Sequence, residues 1–74
     1  MKIKFTDVGR DKWNGEMEIP DTESLNTMLD AVEDFIKRKA LLATRFPETE
    51  YDVDDNKGLI FSGVYTVGKF EVIK

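Results

Sequence analysis

From Lys2 to Asp7 apolar and polar residues alternate, with Ile3 and Phe5 on one side and Lys2, Lys4 and Thr6 on the other. A period of two marks a strand with one buried face. Gly9-Arg10-Asp11 reads as a turn, after which Trp13, Met17 and Ile19 alternate with Asn14, Glu16 and Glu18. Asn14-Gly15 is a competing turn, because that dipeptide tolerates the positive φ of a type I′ hairpin. The two placements imply different registers for the same first hairpin.

Pro20 ends this stretch, and Asp21 or Thr22 offers a helix cap. Apolar residues then recur at 25, 28, 29, 32, 35, 36, 40 and 43, the stripe of an amphipathic helix. The pattern predicts a helix from about residue 22 to about residue 44, stopped by Pro47. It would carry Asp21 and Glu23 in its first turn and Lys37, Arg38 and Lys39 in its C-terminal half, as the helix dipole favours.

Thr49, Tyr51 and Val53 alternate with Glu48, Glu50, Asp52 and Asp54, which predicts another strand. Asp55-Asn56-Lys57-Gly58 is a turn cluster, and Leu59-Ile60-Phe61 follows as a strand, with a bulge or turn at Ser62-Gly63. Residues 65–73 are rich in Val, Tyr, Phe and Ile on both sides, as in a strand buried on two faces or open to a partner on one. The order is ββ-α-ββ(β). It predicts an α+β fold: an antiparallel sheet of four or five strands with one long amphipathic helix on one face, residues 1–74 forming a single domain.

Composition narrows the chemistry. The 74 residues are 41% hydrophobic and include one Trp, two Tyr and five Phe, enough for one helix packed on one sheet. At 0.05–0.15 kcal/mol per residue, a chain this short holds only about 4–11 kcal/mol of net stability. With no Cys and no His, it has no disulfide, no thiolate or imidazole metal ligand, and no Cys–His or Ser–His nucleophile. A non-enzymatic protein without cofactor or metal is expected. Asp52-x-Asp54-x-Asn56 resembles the start of an EF-hand loop, but the glycine comes late, at Gly58, and Gly63 stands where a bidentate glutamate is needed. The alternating, charged start has no apolar run of signal-peptide type, and no stretch approaches a membrane span. A cytoplasmic protein with no membrane association is the expectation, in keeping with the missing cysteines.

Charge is sorted along the chain. The net charge is −4; residues 20–34 hold five acids and no base, and residues 48–56 hold another five. In a strand Glu48, Glu50, Asp52 and Asp54 leave one face about 6.6 Å apart. That step is comparable with the spacing of phosphates along a nucleic-acid strand, so such a row suits a basic, phosphate-binding groove. The competing account is a solvated strand face, with Lys57 and Lys69 paired to the acids across strands. Ile60, Tyr65, Val67 and Ile73 are expected beside the acid row, as an apolar patch fit for a protein partner or a homodimer. Phe5, Trp13, Phe61 and Phe70 are expected in the core.

The leading expectation is a small acidic protein-binding domain, in its sharpest form a nucleic-acid mimic or inhibitor of a nucleic-acid-binding protein. Glu48, Glu50, Asp52, Asp54, Ile60 and Tyr65 would meet a protein partner with a basic surface. The alternatives are a structural or dimerising domain, and direct nucleic-acid binding through Lys37, Arg38, Lys39 and Arg45.

Overall fold

In the computed structural model, which describes residues 1–39 and 47–73, the elements are β1 (Lys2–Val8), β2 (Trp13–Glu18), α1 (Leu25–Arg38), β3 (Glu48–Asp52), β4 (Lys57–Ser62) and β5 (Tyr65–Ile73). The strands form one antiparallel sheet in the order β2-β1-β5-β4-β3, with the first and last strands paired at its centre. This is the α+β arrangement the residue pattern predicts, with five strands and one helix among the described residues.

The first hairpin turns at residues 9–12, so Gly15 lies inside β2 opposite Phe5. The register shifts between Phe5 and Val8, where Asp7 adopts φ 53°. Without that extra residue Asp7 would follow Ile3 and Phe5 into the core; with it, Val8 takes the buried place. Asn14 braces the bulge: its Oδ1 accepts from the Asp7 N–H (3.2 Å) and its Nδ2 donates to the Lys12 carbonyl (3.0 Å).

The helix begins at Leu25 rather than at about residue 22. It has 14 residues, about 21 Å at 1.5 Å each, long enough to lie along the strands. Ser24 is the N-cap, accepting from the Thr27 N–H (3.3 Å), while Thr22 Oγ1 accepts from the Ser24 N–H. The first turn therefore holds no acid. Asp21 instead receives the N-terminal ammonium (2.7 Å), which holds its carboxyl below the usual carboxylate range. Lys37 and Arg38 occupy the last turn and Lys39 is the C-cap. The expected continuation to residue 44 lies outside the described residues.

Met28, Val32 and Ile36 drop from the helix onto Ile3, Phe5, Val8, Ile60, Phe70 and Val72, all nearly or fully buried. Aromatic rings tie this core together across the sheet. Phe35 stacks on Phe5 (5.2 Å between centroids), Trp13 touches both, and Phe70 links Phe5 to Tyr51. Phe5 and Phe70 thus take the core places expected of them, and Trp13 packs partly buried against that core. No helix among the described residues is long and apolar enough to cross a membrane.

Candidate functional site: the uncovered sheet face

One helix covers one face of the sheet, so every second strand residue turns to the other. Cross-strand register sets its pattern. Glu16 stands opposite Lys4, Lys4 opposite Glu71, Glu71 opposite Lys57, and Lys57 opposite Asp52. A single row thus alternates in sign across all five strands. Opposite charges in such pairs contribute roughly 0.2–1 kcal/mol each and oppose register slips. The acids of β2 are matched throughout: Glu16 faces Lys4 and lies 3.5 Å from Lys2, and Glu18 faces Lys2.

The acids of β3 are not. Glu48, Glu50 and Asp52 all leave the uncovered face, exposed, from a strand at the sheet margin. Asp52 faces Lys57, but Glu50 faces Leu59 and Glu48 faces Phe61. Among the described residues neither glutamate has an ion-pair partner. Lys69, expected as a counter-charge, stands opposite Leu59 and Thr6 instead.

The row of four acids is cut to three. β3 ends at Asp52, and Asp54 belongs to the following turn. Asp52 Oδ1 accepts from the N–H of Asp54 (2.9 Å) and of Asp55 (3.3 Å), an Asx-turn that stops the strand. Asn56 then takes φ 55°, and its Oδ1 accepts from the Tyr51 hydroxyl (2.9 Å). Two of the three side chains that resemble an EF-hand loop, those of Asp52 and Asn56, are therefore engaged in building this turn. Among the described residues no group of three or more Asp or Glu is arranged to hold a metal ion.

The apolar neighbours differ from those expected. Ile60 is fully buried beneath the helix and offers no surface to a partner. Val67 sits at the register shift opposite β4 and packs against the core. Tyr65 is exposed, but at the end of the β4–β5 hairpin beside Val64 rather than among the acids. The residues that do flank Glu48 and Glu50 are Phe61 and Leu59, with Ile73 further along the same face. Phe61 is thus an outer-face residue, contrary to its expected place in the core. A signal for this lies in the sequence: if residues 53–56 are the turn, 52 pairs with 57, and Glu50 must share a face with Leu59.

The basic cluster is built differently. Arg38 is held by Asp34 (2.9 Å), one helical turn away, and Lys39 Nζ lies 5.7 Å from the Phe35 ring centroid. Lys37 shares the same helix end, where cations also suit the dipole. Arg45 lies outside the described residues.

Tyr51 anchors β3 from the helix side, its ring stacked on Phe70 (6.0 Å). Desolvation, and secondarily the charge of Asp52, raise its hydroxyl above the ordinary value of 10.0. A raised folded-state pKa favours the neutral phenol, so this contribution is present below the ordinary tyrosine range and is lost as pH rises through the folded value. Absorbance at 295 nm, wild type minus Tyr51→Phe, should show Tyr51 ionising above the ordinary range, with stability to urea falling over the same interval. Ionisation at or below 10 would contradict the packing described for this ring.

Comparison with known proteins finds no family model, no curated protein and no solved structure that matches the chain.

Proposed function

We propose that this chain is a small, non-catalytic protein-binding domain that meets a basic partner surface along the β3 margin of its uncovered sheet face. The observation that carries this reading is the pairing of Glu48 and Glu50 with Phe61 and Leu59 rather than with lysines. Two like charges held on one strand disfavour each other, and a basic partner relieves that cost. The adjacent Leu59 and Phe61 supply apolar area that a purely electrostatic contact lacks, in keeping with interfaces whose aromatic centre is bordered by polar groups. The absence of Cys and His supports a binding role over a catalytic one, and the absence of cysteine suits a cytoplasmic setting.

The sharper form of the reading is a nucleic-acid mimic that inhibits its partner. It rests on Glu48, Glu50 and Asp52, whose spacing of about 6.6 Å suits cations arranged for phosphates. Direct nucleic-acid binding is less well supported, because Arg38 and Lys39 are engaged with Asp34 and Phe35.

Affinity capture from extracts of the source cells, with and without nuclease, tests the proposal when E48Q/E50Q is run in parallel. The expected result is a nuclease-resistant basic protein that the variant fails to retain. For the mimic, added DNA or RNA competes with the chain for that partner. Recovery that depends on nucleic acid, or a partner the variant retains in full, would overturn the proposal.

A further inference from the structure

We infer that the open edge of β3 takes up an extended basic segment of the partner as a sixth strand of the sheet. This deepens the reading above and depends on it. β3 pairs with β4 on one side, and among the described residues no strand pairs with the other. Such an edge presents unpaired backbone donors and acceptors, the groups through which strand addition binds.

The two margins of the sheet are both acidic, but they are not equivalent. At β2, Glu16 and Glu18 already face Lys4 and Lys2. At β3, Glu48 and Glu50 face Phe61 and Leu59, so their charge is open to a strand arriving from outside. The alternating row ends on Asp52, and a cation is what continues it at the next strand position. Cross-strand neighbours on an added strand would stand about 4.5–5.5 Å from these carboxylates, in the range where opposite charges attract.

The other side of the added strand has a place as well. On the helix side, a groove of about 630 Å³ opens beside Tyr51, lined by the apolar Met1, Leu25, Met28 and Val53 together with the polar residues 21–24. Leu25 is 42% and Val53 63% exposed, so both offer apolar surface to an occupant of the groove. A strand alongside β3 turns alternate residues to opposite faces. Its occupant is therefore an extended segment with Lys or Arg at every second position and apolar residues between them. A second copy pairing β3 with β3 would set acids against acids, and a nucleic acid carries the same sign as the edge.

The test uses the intact chain and a short, end-capped peptide that alternates Lys and Val. Two comparison peptides are a composition-matched one with the lysines in one block and an alternating one N-methylated at every second residue. Amide NMR shifts and hydrogen exchange are followed at low salt. The alternating peptide should give its largest shifts in β3 and slow exchange there. N-methylation, blocking of the lysines, and E48Q/E50Q should each weaken it by about tenfold or more. Equal binding of the N-methylated peptide would overturn strand addition while leaving the basic-partner reading intact. Shifts confined to β2, no shift at all, or sedimentation showing a dimer closed through β3 would overturn it too. Full capture of the natural partner by E48Q/E50Q would instead remove the reading on which it rests.

Discussion

Replacing Phe5 with alanine should lower the stability of the fold by about 3–5 kcal/mol, a large share of what a domain this short holds. Phe5 has no exposed surface, and its ring lies 5.2 Å from that of Phe35, 5.7 Å from Trp13 and 6.4 Å from Phe70. Its ring meets one ring each from β2, the helix and β5. Truncating a buried phenylalanine costs about 3–5 kcal/mol, against about 4–11 kcal/mol for a domain of this length. No disulfide adds to that stability. Phe61→Ala removes the same side chain from the outer face and should cost far less, about 1 kcal/mol. Urea unfolding followed by circular dichroism separates the two. Similar midpoints for both variants would mean that the face assignment of Phe5 and Phe61 is wrong.

Gly58→Ala is the second large effect, and its mechanism is the opposite one. Gly58 stands between Tyr51 on β3 and Phe70 on β5, whose rings close over it. A methyl group there would come within 2.1–2.7 Å of three Phe70 ring atoms. Phe70 cannot swing away, because Phe5 and Tyr51 hold it on both sides. Overpacking of this kind costs about 1–3 kcal/mol. The strain should fall on β3, which the Tyr51 ring ties to the core, so exchange of β3 amides should quicken more than that of β1. Gly63 has no atom within 4 Å of an added Cβ, and its φ of 63° leaves only a backbone cost. Gly63→Ala is therefore the matched control. Equal destabilisation at the two positions would show that the ring clash is not the cause.

Much of this architecture was legible in the residue order. Ile3 and Phe5 against Lys2 and Lys4, and the stripe from Met28 to Ile36, are periodicities that burial on one face imposes directly. What was not legible had local causes. Ser24 displaces Asp21 and Thr22 as the cap because Asp21 is drawn to the N-terminal ammonium and Thr22 bonds back to the Ser24 N–H. Each of the three has a suitable side chain, so composition alone does not choose among them. Leu59-Ile60-Phe61 is apolar throughout and carries no parity of its own; a shift of one residue sends Ile60 to the core and its neighbours outward. Asp54 shares its alternation with Glu50 and Asp52, yet the Asx-turn at Asp52 ends the strand first. The acidic site was therefore visible as a charge pattern, while its apolar half was found only with the β3–β4 register.

That register also explains why the two acidic margins differ although their sequences look alike. Glu16 and Glu18 on β2 have lysines opposite; Glu48 and Glu50 on β3 do not. Position, rather than net charge, is then what a partner reads. The most direct test measures binding of the captured partner to two matched double variants, E48Q/E50Q and E16Q/E18Q, each removing two negative charges from the same face. Binding should fall by about tenfold or more for E48Q/E50Q and stay within about twofold of wild type for E16Q/E18Q. Equal losses would reduce the effect to overall charge, and undiminished binding by E48Q/E50Q would place the partner surface elsewhere on the molecule.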